Sequence, residues 1–255
     1  MSSKHSIRNV HSAAAKEFVK KLETLAYRRS RREAFSDWTI LAAAAIHNGV
    51  HFDQAIEEEY LITAKRYDAT ELVTMGELLA LTMAGLEEEL SDFLGQVYEG
   101  SLLANEGHGQ FFTPFSVSLM LAEIALAGEI PQGRVVTFME PAVGAGGMVI
   151  AACAVMRDRG FSFQQWAWFE AQDIDPLCFR MAYIQLSLIG APATLVLGDT
   201  LAMERRRVWT TPMYVMSGVG FRLAAQRRRE EAGLVEAAEP VQLVAGPQLE
   251  LFEAV

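Results

Sequence analysis

The chain of 255 residues predicts an α/β fold, a parallel sheet with packed helices, preceded by a helical region. Three observations carry this. First, residues 135–140 form a short, apolar, β-rich run ending in Glu140, followed by a glycine-rich loop at 141–147 and an apolar run, 148–157, long enough for a helix. Strand, glycine loop and helix in that order are how a parallel sheet presents a nucleotide-like ligand at its strand ends. Second, the plan repeats: 165–173 reads as a strand ending in acids, and 177–188 as a helix stopped by Gly190 and Pro192. Third, 193–198 reads as a strand with Asp199 at its tip, so three successive strands end in carboxylates. Ionised carboxylates only accept hydrogen bonds, which suits ribose hydroxyls and an adenine amino group.

Taken in order, residues 11–108 read as helices. Phe18, Leu22 and Leu25 stand at helical spacing within 12–27. Ser36 is expected to be an N-cap, with 39–46 as the run behind it, and 52–64, 70–84 and 92–102 follow as further helices. Trp38 and Tyr60 read as core. In the central region, Gly144 and Gly146 begin a dinucleotide-binding fingerprint, but Val149 stands where its third glycine belongs. Asp173 also lies well beyond the roughly 20 residues at which that fingerprint expects its acid. Beyond the third strand, 213–217 reads as a fourth strand and 221–232 as a solvated, Arg/Glu-rich helix. No periodicity holds from Gly233 onward, and the tail is expected to be loose. The domain boundaries expected are 1–106 for the helical region, 107–232 for the α/β domain and 233–255 for the tail.

Composition narrows the partners. Apolar residues make up 51% and charged residues 21%, which is globular rather than disordered. Cys153 and Cys178 both fall in apolar helical runs and read as buried thiols in a reducing cytoplasm. No metal-ligand spacing occurs, the first ten residues are polar rather than signal-like, and the longest apolar runs are too short to span a membrane. A net charge of −10 argues against strong DNA binding by the chain alone, because phosphate neutralisation needs Lys and Arg. The cations cluster at Arg28–Arg32, Arg205–Arg207 and Arg227–Arg229, and the second cluster is the best phosphate candidate.

Four motifs then fall in one order: Gly109-Gln-Phe-Phe-Thr-Pro114, Glu140-Pro-Ala-Val-Gly-Ala-Gly-Gly147, Ala171-Gln-Asp-Ile-Asp-Pro176 and Gly198-Asp-Thr-Leu201. In sequence and spacing they resemble the N6-adenine DNA methyltransferases, above all the modification subunits of type I restriction systems, over roughly residues 90–201. The resemblance implies a Rossmann-like core dependent on S-adenosylmethionine (SAM). It implies that Phe112, Thr113, Pro114, Glu140, Gly144 and Gly146 hold the methionine part of SAM. Asp173 would take the ribose and Asp199 the adenine, while Asp175 reads as a helix N-cap. The family's catalytic motif, Asn/Asp-Pro-Pro-Tyr/Phe, would correspond to Thr211-Pro-Met-Tyr214, with Thr211 and Pro212 as hydrogen-bond acceptors and Tyr214 stacked on a flipped base.

Two departures follow from that resemblance. A threonine hydroxyl replaces a planar amide acceptor, and the strands completing the family's seven-stranded sheet are not visible, so the core is expected to look truncated, with an open edge inviting a protein partner. Two functions therefore stand open: DNA adenine-N6 methylation, and a non-catalytic SAM-binding module acting as a subunit, regulator or restriction decoy. The final segment adds a third element. Gln248, Leu249, Leu251 and Phe252 resemble the short motif by which bacterial replication proteins dock on the sliding clamp.

Overall fold

In a computed structural model of the protein, the structure describes residues 12–101, 112–131, 133–234 and 241–242. They divide into two compact units, Met1–Phe112 and Thr113–Val255. The division falls inside the Phe-Thr-Pro motif.

The first unit holds α1 (Ala13–Leu25), α2 (Arg31–Asn48), α3 (Gln54–Ala64), α4 (Ala69–Glu88) and α5 (Phe93–Ser101). Each of the first four begins on a side chain that accepts from the first turn: Ser12, Ser30, Asp53 and Asp68, the last in a capping box with Glu71. Ser30 corrects the expected cap at Ser36, which lies inside α2. Ser30 has the extended backbone a cap requires, and its hydroxyl accepts from Glu33 N at 3.1 Å. The Arg-rich stretch 28–32 hid this start, because it shows no apolar period. The core is aromatic. Phe18 meets Trp38 edge-on at 5.0 Å and Phe93 at 5.9 Å, and the Trp38 indole donates to Met75 O at 3.1 Å. Trp38 is fully buried and Tyr60 half-buried. Among the described helices, α4 is long and apolar enough by composition to cross a membrane; it packs along α1.

The second unit runs α6 (Phe115–Ala125), β1 (Val136–Glu140), α7 (Gly147–Asp158), α8 (Phe163–Trp166), β2 (Ala167–Asp173), α9 (Pro176–Leu188), β3 (Ala193–Leu197), β4 (Arg207–Thr210), α10 (Pro212–Met216), α11 (Val219–Glu231) and β5 (Val241–Gln242). The sheet order is β4-β3-β2-β1-β5. β5, β1, β2 and β3 are parallel, in register Phe138↔Val241, Phe138↔Phe169 and Phe169↔Ala193. The fold is thus α/β with a Rossmann-like parallel core. Alternation along β2 sends Ala167, Phe169 and Ala171 to one, fully buried face. There Phe138 stacks on Phe169 at 4.8 Å, each ring contributing about 1.5–3 kcal/mol by burial. α9 packs on β2 and β3, and Phe179 and Tyr183 meet Trp209 of β4 at 5.0 and 4.9 Å. Trp168 points to the opposite face, where its indole donates to Thr194 Oγ1 at 3.1 Å. That face is covered near its amino end by α11, through Val219 and Leu223 against Val135. Met139, further along the same face, is 46% exposed.

Two expectations change here. Residues 213–217, expected as the fourth strand, belong to the short helix α10: Pro212 at its first position has the fixed φ a helix start prefers. The fourth strand is instead Arg207–Thr210, and it runs antiparallel to β3. The connection 198–206 explains the direction, since a parallel return needs a crossover of about a dozen residues or more. The tail expected from Gly233 also contributes a strand, because Val241–Gln242 pairs with β1.

Candidate functional site

The carboxyl ends of β1, β2 and β3 bring Glu140, Asp173 and Asp199 to one end of the sheet, around the loop 141–146. The loop is fixed from several sides. Gly144 and Gly146 have φ of 56° and 107°, a region that disfavours side chains with a Cβ. Val143 N donates to Gln172 O at 2.8 Å, Gly144 N to Asp173 Oδ2 at 2.8 Å, and the buried Gln185 amide to Ala145 O at 2.7 Å. Asp173 thus organises the loop: its other oxygen accepts from Asp175 N at 2.9 Å. A carboxylate has about four acceptor sites, so Asp173 keeps acceptor capacity for a ligand hydroxyl beyond these loop N–H groups.

Glu140 is the most constrained of the three. It is 3% exposed; Oε1 accepts from Ala142 N at 3.0 Å, while Oε2 is buried with no hydrogen-bond partner among the described residues. Burial pushes its carboxyl up to about 8, with the nearby Asp173 adding to the rise against the pull of the Ala142 N–H. Burial raises Asp173 as well. Two carboxyls held this way favour a cationic or hydrogen-donating ligand group beside them.

Asp199 is half-buried, and its Oδ1 accepts from Leu201 N at 2.9 Å and Ala202 N at 3.3 Å. Gly198 before it has no substitute, because a Cβ there would stand 2.0 Å from the Glu204 carbonyl oxygen. Asp175 caps α9, accepting from Leu177 N at 2.6 Å and Cys178 N at 3.3 Å.

Three contributors were not singled out from the sequence. Thr200 donates to Pro141 O at 2.6 Å and ties the Asp199 loop to the glycine loop. Gln185 stands out as a lone amide in the apolar run of α9, a signal that was available. Ile174, 57% exposed beside Asp173, offers an apolar surface at the mouth of the site.

The aromatic-Thr-Pro motif is divided between the units. Phe112 lies with the first, its N–H on Glu99 Oε1 at 2.9 Å and its ring edge-on to Tyr98 at 5.8 Å. Pro114 precedes α6, which packs along α7, the helix behind the glycine loop; Thr113 is half-buried. Gly109 to Phe111 lie outside the described residues, as do Gln248, Leu249, Leu251 and Phe252.

The structure does not bring Thr211, Pro212 and Tyr214 together with the three acids. Because β4 is antiparallel, it carries the chain back to the amino end of the sheet. Thr211 is fully buried there, its hydroxyl accepting from Ala193 N at 2.9 Å and donating to Ala191 O at 2.6 Å. Tyr214 packs beside Val135, Val219 and Leu223, where its hydroxyl would meet a Cβ on Gly220 at 2.7 Å. The length of β3, about 3.3 Å per residue, separates Thr211 from Asp199 by roughly 15 Å. The arginines expected beside a base pocket are otherwise engaged: Arg205 pairs with Glu170, Arg206 with Glu204 at 3.1 Å, and Arg207 lies 5.5 Å from the Trp209 ring centroid.

Among solved structures, the chain resembles a Listeria monocytogenes protein assigned to the class I S-adenosylmethionine-dependent methyltransferases, with 16% identity and a TM-score of 0.45 over 74% of this chain and 54% of that one. It also resembles the methyltransferase subunit of a type I restriction-modification system from Streptococcus thermophilus, with 14% identity and a TM-score of 0.40 over 74% of this chain and 58% of that one. The chain therefore spans a little over half the length of each. No curated protein matches it. The family model described as N-6 DNA Methylase matches residues 89–236, more than half of the chain and all of the carboxylate-tipped sheet from β1 to β4, and the chain belongs to that family.

Proposed function

We propose that this chain binds S-adenosylmethionine at the carboxyl end of its sheet and serves its family as a cofactor-binding module, with no base site of its own at that end. One observation carries the reading: the three acids and the glycine loop converge at one end of the sheet, and Thr211-Pro-Met-Tyr214 lies at the other.

The residues fit the cofactor. The unpartnered Glu140 Oε2 suits its ammonium group, the spare lone pairs of Asp173 suit the ribose hydroxyls, and Asp199 Oδ2, with no partner among the described residues, suits the adenine amino group. Ile174 supplies apolar surface beside the ring. When bound, the cofactor supplies an activated methyl group. The chain's own contribution is to orient it, with the loop 141–146 held rigid through Asp173 and Gln185.

Calorimetric titration with S-adenosylmethionine and its demethylated product tests this. Micromolar binding is expected, weakened at least about tenfold by Asp173→Ala, which strips two backbone N–H groups of their acceptor. Absence of binding would end the proposal. Methylation of adenine in DNA is the family's named chemistry and is tested separately. Labelled methyl transfer to DNA by this chain alone, lost in Tyr214→Ala, would overturn the non-catalytic part while leaving cofactor binding intact.

A further inference from the structure

The amino end of the sheet holds a cavity that the cofactor site does not use. It measures about 350 Å³ and is lined by Arg134, Trp166, Arg222, Gln226 and Arg229, among others. We propose that it binds a phosphate ester: a phosphate group with a flat ring or sugar attached, as in a nucleotide or a nucleic-acid strand.

The charge arrangement points there. Arg134 is paired with Glu230 at 2.9 Å, but the other two arginines have no carboxylate partner among the described residues. Arg222 is gripped instead by neutral carbonyls, Ser217 O at 2.8 Å and Gln165 O, and its Nε is buried with no hydrogen-bond partner among the described residues. It sits in the first turn of α11, where the helix dipole disfavours a cation. A solvated basic helix end would explain Arg228 and Arg229, in the last turn, but not Arg222. In a chain of net charge −10, two guanidinium groups on one cavity wall with no carboxylate partner among the described residues are a local reversal of sign.

The geometry selects the class of anion. Guanidinium groups offer forked donors matched to phosphate oxygens. The Trp166 ring, 5.1 Å from the Arg222 guanidinium carbon, adds a flat apolar surface. The volume lies at the lower end of the range for small-ligand pockets, more than a bare oxyanion fills.

The test is titration of the full chain with inorganic phosphate, deoxyadenosine monophosphate and a short single-stranded oligonucleotide, followed by tryptophan fluorescence. The nucleotide is expected to bind at sub-millimolar concentration and more tightly than phosphate. Tighter binding of the oligonucleotide would identify a strand as the source of the phosphate; equal binding would identify the free nucleotide. Arg222→Lys, which keeps charge but loses the fork, and Arg229→Glu, at an exposed position, should each weaken binding by about tenfold or more. Titration with S-adenosylmethionine should be unchanged in both variants, which separates this site from the cofactor site. Arg229→Glu is also expected to melt at the parent temperature, so its result does not depend on folding. No binding of any of the three probes at millimolar concentration, or binding that Arg229→Glu leaves unchanged, overturns the proposal.

Discussion

The two ends of the sheet hold opposite chemistries on the same strands. At the carboxyl end, Glu140, Asp173 and Asp199 stand as acceptors, part of their capacity spent on holding loops and part left over. At the amino end, Thr211 has both roles of its hydroxyl engaged, and the remaining polar character is cationic, from Arg222 and Arg229. The difference teaches that strand direction decides what a residue can do. Thr211-Pro-Met-Tyr214 lies close enough to a catalytic motif to be read as one, yet it faces the end where no cofactor group is expected.

The largest expected effect lies with Glu140. Its carboxyl, ordinarily near 4.5, is pushed up to about 8 in the folded chain. The folded state therefore holds this proton more tightly than the unfolded state, and stability falls as pH rises from about 4.5 to about 8. The span is of order 5 kcal/mol. Urea denaturation across that range should show the fall, and Glu140→Gln should flatten it; an unchanged slope in the variant would assign the effect elsewhere. Saturating S-adenosylmethionine should also reduce the slope, because a bound ammonium lowers the carboxyl's pKa.

Gly198→Ala comes next. The intruding Cβ meets backbone rather than a movable side-chain tip, so a loss of about 3 kcal/mol is expected in the same denaturation assay. Thr211→Val should cost about 2 kcal/mol by leaving Ala193 N and Ala191 O without their partner, with cofactor affinity untouched. A marked change in affinity would break the separation of the two ends. Thr211→Asn, which restores the family's amide, should still yield no methyl transfer. Thr200→Val is the mildest: loss of its bond to Pro141 O should cost about 1 kcal/mol and soften cofactor binding a few-fold, measured calorimetrically.

Much of the α/β unit was legible because its first three strands are apolar runs bounded by glycine, proline and acids. A fully buried parallel strand is written that way. The carboxylate tips and glycine loop were legible for the same reason. β4 was not, because Arg207–Thr210 looks like part of a polar connection, and a motif reading drew attention to the residues after it. The Thr-Pro pair at 211–212 did carry the opposite signal, that of a helix start. β5 has only two residues and no pattern to announce it. The environments of Glu140 Oε2 and of the Arg222 guanidinium depend on distant neighbours, which local sequence does not record.

The short antiparallel return at 198–206 also bears on how this chain could change over generations. Exchanging letters at 211–214 alters only which side chain is buried at the amino end of the sheet. Carrying that segment to the cofactor's side would require added length between Leu197 and Arg207, enough to cross over the sheet and reverse one strand. Bringing this segment beside the carboxylate tips is therefore open to insertion or recombination and closed to point substitution.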